Sequence, residues 1–434
     1  MRRVLALAIA LPMLTGCGNQ STGTPGPSAG SSSLGTTPST HETLAIGEFN
    51  PFTGPDASYG PEMAAGCIPA VNLINQAGGV LGHKLECVVA DTRGDPADAV
   101  PAASQLLATQ SNLVGILGPS SDEADATAPI FNDSKMTMMG DTGAASFDQN
   151  AYPYFWRLTP ADDVKGTAMA IWGRQKGFSH AAAVFGNDIG SQTDVPTLVK
   201  AFTKLGGTIV SNESLALDQG DYRTEVARML ATNPDVLFIE ADAQTEATFL
   251  ANLKDLHGLI PVIGTSLDQA MYQAVGGAIG AQNMHDFYTT IRPLIGSLGT
   301  STKTYDQALL ASGSQVPKPD QWISDPFCPA HYDEVNLLAL SMIAANSTTP
   351  STYNSYIPQV ANPGSGKTLV YSFDEGQKAL AAGKQIQYVG ASGFIDFNKF
   401  NNSTTGFEAF QFQLDGSTVS LGTIPIDEIT QANS

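Results

Sequence analysis

From residue 42 onward the chain alternates short apolar runs with longer stretches of helical periodicity. Residues 44–49 form an apolar run that ends in a loop at Asn50-Pro51. Between 59 and 76, Met63, Cys67, Ala70, Val71 and Ile74 recur at the spacing of one helix face, and Gly78-Gly79 stops the helix. The same reading predicts a strand over 84–90, a helix over 96–109 and strands over 113–117 and 136–139. The pattern restarts after residue 164. There it predicts strands over 181–185, 208–214, 236–239 and 262–263, with helices over 193–205, 222–231 and 245–256 between them. A βαβα order that occurs twice predicts an α/β protein of two doubly wound lobes, each a parallel sheet covered on both faces. In such sheets ligands bind outside the carboxyl ends of the strands. That rule alone selects residues 50–59, Ser120-Ser121, Asp141-Thr142, Asn187-Asp188, Asp242 and Thr265-Ser266 as candidate site residues.

The first forty residues follow no such pattern. Arg2 and Arg3 precede an apolar stretch over 4–14, too short to cross a bilayer and right for the core of an export signal. Leu14-Thr15-Gly16-Cys17 then resembles a lipobox, the site where bacterial signal peptidase cuts before a lipid-modified cysteine. The expectation is a signal peptide over 1–16, a lipid on Cys17 and an extracytoplasmic protein held at the cell membrane. Of the 24 residues from 17 to 40, 19 are Gly, Ser, Thr or Pro. No core forms from that composition, so 17–41 reads as a flexible tether spanning roughly 25–30 Å. Gly26-Pro27-Ser28-Ala29-Gly30 inside it matches the hydrolase nucleophile elbow, but the strand and helix which that motif needs are missing from the pattern.

Composition narrows the function. The chain has 434 residues and a formal charge of −20, from 21 Lys+Arg against 41 Asp+Glu. A surface this acidic repels phosphate backbones, which excludes nucleic acid as a partner. No apolar run approaches the ~18 residues of a membrane span. The four cysteines are Cys17, Cys67, Cys87 and Cys328. Export permits a disulfide. Cys67 on the predicted first helix and Cys87 on the strand it packs against are the expected pair, with Cys328 free; three buried thiols are the alternative. The six histidines are scattered without metal-ligand spacing, so neither a metal nor a cofactor is expected. The stretch 362–368 is similar to a phosphate loop but has Ala361 where that motif needs Gly.

Five segments together carry a family resemblance. They are IGEFNPFTGPDASYG at 46–60, AAGCIPAVNLINQAGGVLGHKLECVVAD at 64–91, ILGPSSDEADATAPI at 116–130, FWRLTPADDVKG at 155–166 and GASGFIDF at 390–397. In this order they resemble the type I periplasmic solute-binding proteins of ABC importers, of the leucine/isoleucine/valine-binding group, from about Leu44 to about Leu421. The resemblance implies two lobes joined by three crossover strands, lobe 1 over 42–160 and 290–372 and lobe 2 over 161–289 and 373–434. It also implies a small-molecule solute held between the lobes, an ABC permease as partner, a monomer and no chemistry on the solute. A ligand-sensing subunit with the same fold is the alternative.

By that resemblance a solute carboxylate would sit on Ser120 and nearby amides, with Thr142 next to it. A solute ammonium would pair with Asp162, and Tyr59 would be the aromatic lid. The second lobe departs from the amino-acid binders. Ile189-Gly190, preceded by Asn187-Asp188, stands where they have a tyrosine before glycine, Asp242 falls near another tyrosine position, and Ser266, with Asp268 beyond it, replaces their acid. Asp141, Asp162, Asp188, Asp242 and Asp268 share the candidate loops, with no Lys or Arg in the immediate strand-end segments. Two readings stay open for Asp188, Asp242 and Asp268: they face an amine, amide or polyol solute, or they cap the helices that follow. The stretch 317–329, with Trp322 and Phe327, interrupts the pattern and would reach either the cleft or a partner.

Overall fold

The computed structural model describes residues 42–434, apart from 55, 58, 266–268, 295–298, 324 and 326 and the side chains of 121 and 269–271. The first half opens with β1 (Leu44–Asn50), α1 (Tyr59–Gln76), β2 (Leu85–Asp91), α2 (Pro96–Thr109) and β3 (Leu113–Ser120), and continues with α3 (Ser121–Asp133), β4 (Met138–Asp141) and β5 (Phe155–Trp156). The second half begins with α4 (Asp162–Gln175), β6 (His180–Gly186), α5 (Ile189–Gln192), α6 (Val195–Lys204), β7 (Thr208–Leu215) and α7 (Arg223–Leu230). It runs on through β8 (Val236–Glu240), α8 (Ala243–Leu256), β9 (Val262–Thr265), α9 (Gln269–Ile279), α10 (Ala281–Phe287) and β10 (Tyr288–Pro293). The chain then forms α11 (Thr300–Ala311), α12 (Cys328–Ala345), α13 (Pro350–Tyr353), α14 (Ile357–Ala361), β11 (Thr368–Val370), α15 (Phe373–Ala381) and β12 (Ile386–Tyr388). It ends in β13 (Phe407–Phe412), β14 (Thr418–Ile424) and α16 (Ile426–Asn433).

Two doubly wound sheets result, as the apolar pattern predicts. The first has the order β2-β1-β3-β4-β5, all neighbours parallel. The second has the order β14-β13-β10-β9-β8-β6-β7, parallel except for β13 and β14, which add an antiparallel edge to β10. Each sheet is buried on both faces. One face of the first packs Ile46, Leu117 and Met139 against α1 and α12, and the other packs Ala45, Ile116 and Met138 against α2 and α3. The second sheet packs Ala183, Phe185 and Phe238 against α4 and α6, and Val184, Leu237 and Ile239 against α7 and α8. The Sγ atoms of Cys67 on α1 and Cys87 on β2 are bonded, and Cys328 is a buried free thiol.

The chain passes between the halves three times: between β5 and α4, between β10 and α11, and between β12 and β13. The passages lie side by side. Arg157 on the first pairs in parallel with Asn402 on the third. Leu294 on the second donates its N–H to the Gly406 carbonyl on the third, at 2.8 Å. Arg157 is buried; its guanidinium meets Asp148 at 2.7 Å, Asn402 at 3.1 Å and the carbonyls of Thr142 and Ala144 at 3.3 Å. Five donors in a rigid fork suit this clamp on residues 142–148 and on Asn402 of the third passage.

The borders expected at 289/290 and 372/373 differ from these placements. β10 continues the second sheet through its pairing with β9 and β13. Residues 373–397 place Phe373, Ile386, Tyr388, Ile395 and Phe397 in the core beneath the first sheet. Asp333 of α12 ties that stretch down, accepting from Tyr388 Oη, from the Ala391 and Ser392 amides and from Ser392 Oγ at 2.5–2.8 Å.

Candidate functional site

A cavity of about 150 Å³ lies between the halves, where the carboxyl ends of β3, β4, β8 and β9 converge. Tyr59, Ser120, Asp141, Asp162, Asp188 and Asp242, all candidates from the sequence, line it. Thr142 and Asn187 do not line it. Thr142 is fully buried and its hydroxyl accepts from the Ala144 amide at 3.1 Å, while Asn187 is exposed. Ser121 begins α3; its side chain, together with Ser266, Asp268 and Cys17, lies outside the described residues.

On the first-half wall, Asp91 shapes the β1 loop. Its Oδ1 accepts from the amides of Phe52, Thr53 and Arg93 at 2.9–3.2 Å, and its Oδ2 from the Thr53 hydroxyl at 2.6 Å. That loop brings Asp56 and Tyr59 to the cavity. Burial, with Asp122, Asp188, Glu123 and Asp242 nearby, pushes the Asp56 carboxyl up to about 7. At the start of α3, Glu123 stands beside Ser120 and accepts from Thr92 Oγ1 at 2.7 Å. Asp122 faces the Ile189 and Gly190 amides of α5 across the cleft, and its Oδ1 is buried without a hydrogen bond among the described residues. Burial and the facing Asp188 push Asp122 up to about 6.

Asp141 accepts from the Thr159 hydroxyl at 2.5 Å, and its other oxygen lies 4.0 Å from His331 Nε2. His331 is fully buried on α12, with Nδ1 3.1 Å from Glu334. Burial pulls its pKa down, but Glu334 and Asp141 more than offset this and hold it at about 9. A cation therefore stands directly behind Asp141.

The second-half wall centres on Lys165, in the first turns of α4. Its Nζ donates to Glu240 at 2.7 Å and lies 3.0 Å from Asp194 and 3.4 Å from Asp162. Burial works against its charge, and the three carboxylates reverse that and hold its pKa well above the usual value. Burial raises Asp162 and Asp194. Asp162, expected as the partner of a solute ammonium, already meets the chain's own ammonium and accepts a hydrogen bond from the Thr193 hydroxyl. Gly143 makes room for it: a Cβ at 143 would stand 1.9 Å from its Oδ1. Asp188 and Asp242 cap helices through Oδ1, as one of their two readings expects, Asp188 to the Ser191 amide at 2.7 Å and Asp242 to the Gln244 and Thr245 amides at 2.9 and 3.0 Å. Both also stand on the cavity wall.

Asp56 falls within the stretch 50–59 that the strand-end rule selects, whereas sequence reasoning missed Glu62, Asp122, Lys165 and Glu240 on the wall. Glu240 ends β8 and obeys the same strand-end rule as Asp242. Lys165 lies one turn beyond Asp162, so its place follows from that of Asp162 once the helix is known. In the stretch 317–329, Trp322 is buried in the first-half core and Phe327 reaches the cleft.

Comparisons with known proteins agree with this geometry. A family model described as periplasmic binding protein matches residues 43–323. The Leu/Ile/Val-binding protein BraC3 of Rhizobium johnstonii is 26% identical over 249 residues, which cover 56% of this chain and 67% of that protein. A leucine-, isoleucine-, valine-, threonine- and alanine-binding protein of Pseudomonas aeruginosa is 32% identical over 126 residues, covering 29% of this chain and 34% of that one. Among solved structures, the leucine-binding protein LivK of Thermotoga maritima superposes with a TM-score of 0.71 at 16% identity, over 89% of this chain and 100% of that one. A fatty acid ABC transporter substrate-binding protein of Thermomonospora curvata gives 0.71 at 16% identity, over 90% and 94%.

Proposed function

The chain belongs to the periplasmic binding protein family, and on that premise we propose that it is the solute receptor of an ABC importer. It is a binding protein rather than an enzyme, in keeping with its relatives. It takes a small polar solute, an amino acid or a related amine, amide or polyol, between its two halves and releases it unchanged to a permease. The observation that carries this reading is the cavity of about 150 Å³ walled by the strand ends of both sheets. A solute that touches both walls favours the closed arrangement by its differential affinity for it. The family places the protein outside the cytoplasm. The signal at 1–16, the lipid on Cys17 and the tether over 17–41 would keep a monomeric receptor at the membrane.

Mass spectrometry of small molecules released from the purified full chain tests the reading. The expected result is a solute recovered intact. Added back at 100 times its dissociation constant, it stabilises the protein by about 2.7 kcal/mol. A released compound that the protein converts into a product on re-addition would make it an enzyme and end the receptor reading.

A further inference from the structure

We propose that the cleft selects a compact organic cation that carries no carboxylate. The inference rests on the receptor reading and names the class of solute. Asp56, Glu62, Asp122 and Asp141 line the cavity from the first half, and Asp162, Asp188, Glu240 and Asp242 from the second. Against these eight acids, Lys165 is the one basic side chain among the described lining residues, and Asp162, Asp194 and Glu240 already surround it. A confined space bordered by like charges and low-dielectric walls concentrates ligands of opposite sign.

A second observation concerns where a solute carboxylate would sit. The start of a helix, with its unpaired N–H groups and nearby hydroxyls, is the usual seat for an anion. Here the protein's own carboxylates hold that seat. Glu123 stands beside Ser120 at the start of α3, and Asp122 faces the Ile189 and Gly190 amides of α5. A zwitterionic amino acid would have to displace Asp122 and face its charge.

A third observation points to a ligand directly. Asp188 and Asp242 cap helices through Oδ1, while Oδ2 of each is buried and makes no hydrogen bond among the described residues. Buried acceptors on residues of a cavity wall call for a donor, and an ammonium supplies up to three. A metal ion does not suit the geometry, because among the described residues no three cleft carboxylates bring oxygens within 4.8 Å of one another. The charges are spread over a molecule-sized space, and Tyr59, Phe327 and Phe407 give an aromatic wall for the apolar stem of an amine.

A matched four-carbon series tests this on the full chain by calorimetry at pH 8: 1,4-diaminobutane, butylamine, 4-aminobutanoate and butanamide, with isoleucine beside them. We expect the diamine to bind at least tenfold more tightly than 4-aminobutanoate or isoleucine, and more weakly as salt rises. Asp242→Asn keeps a good helix cap and should cost the diamine at least tenfold. Asp122→Ser should bring 4-aminobutanoate closer to the diamine in affinity. Binding of isoleucine, 4-aminobutanoate or butanamide as tightly as the diamine overturns the cation inference and leaves the receptor reading standing. Silence of the whole series also overturns it, and the released-solute experiment then decides the receptor reading separately.

Discussion

At the scale of single residues, Lys165 shows how the cleft tolerates its acids. Its side chain is 14% exposed, and its ammonium is shared among Asp162, Asp194 and Glu240. Removing the one cation from such a group leaves buried charge uncompensated, which typically costs about 3–5 kcal/mol. Lys165→Met should therefore lower the urea midpoint strongly at pH 8. The loss should shrink as pH falls, because burial raises the pKa values of Asp162 and Asp194 and so brings on their protonation sooner than that of ordinary carboxylates. An unchanged midpoint at pH 8 would show that the cluster does not depend on its cation. The cluster was not legible in the sequence because its members are far apart along the chain, and a lone Lys in a first helical turn reads as a solvated residue. Asp188 and Asp242 were legible because capping and strand-end position are local properties. Thr142 and Asn187 obey the same strand-end rule, yet the backbone turns one side chain into the core and the other out to solvent.

At the scale of elements, the pattern served up to about residue 265 and failed beyond it, for a physical reason. The strands from β1 to β9 are short apolar runs between amphipathic helices, so period and burial agree. α12 breaks that agreement. His331, Asp333, Glu334, Asn336 and Ser341 are all fully buried in it, so the helix has no solvent face to give a periodic signal. Among its polar groups, Asp333 is held by tertiary partners, Tyr388, Ala391 and Ser392. The antiparallel edge of β13 and β14 likewise falls outside a βαβ repeat. The disulfide makes a testable element. It closes a 20-residue separation between α1 and β2, and the chain-entropy model assigns such a loop about 3 kcal/mol. The Cys67→Ser, Cys87→Ser double variant should lose about that much in urea unfolding. Its solute affinity should stay unchanged, because neither cysteine lines the cleft. A large loss of affinity instead would mean that α1 transmits its packing to the Tyr59 end of the helix.

For the molecule as a whole, the acids of the two halves oppose each other across the cleft, and this sets a direction for pH. Asp56 on the first half feels Asp188 and Asp242 on the second, as well as Asp122 and Glu123 beside it. Burial raises Asp56 to about 7, Asp122 to about 6, and Glu48 and Glu246 to about 8. A carboxyl whose pKa is higher folded than unfolded binds more protons in the native state, so stability falls as pH rises through that interval. His331, raised to about 9, acts in the same direction: its contribution is complete below the unfolded value and is lost as pH climbs through 9. The lowered carboxyls, Asp91, Asp221, Asp286 and Asp415, act below pH 4 and do not oppose this trend. The empty protein should therefore melt at a higher temperature at pH 5.5 than at pH 8.5, the reverse of an ordinary acidic protein stabilised by ion pairs. A bound cation prefers the ionised carboxylates, so saturating 1,4-diaminobutane should raise the melting temperature more at pH 8.5 than at pH 5.5 and narrow the gap. Scanning calorimetry at the two pH values, with and without the diamine, reads both effects. An empty protein that melts higher at pH 8.5 would show that the cleft carboxylates are not suppressed by burial.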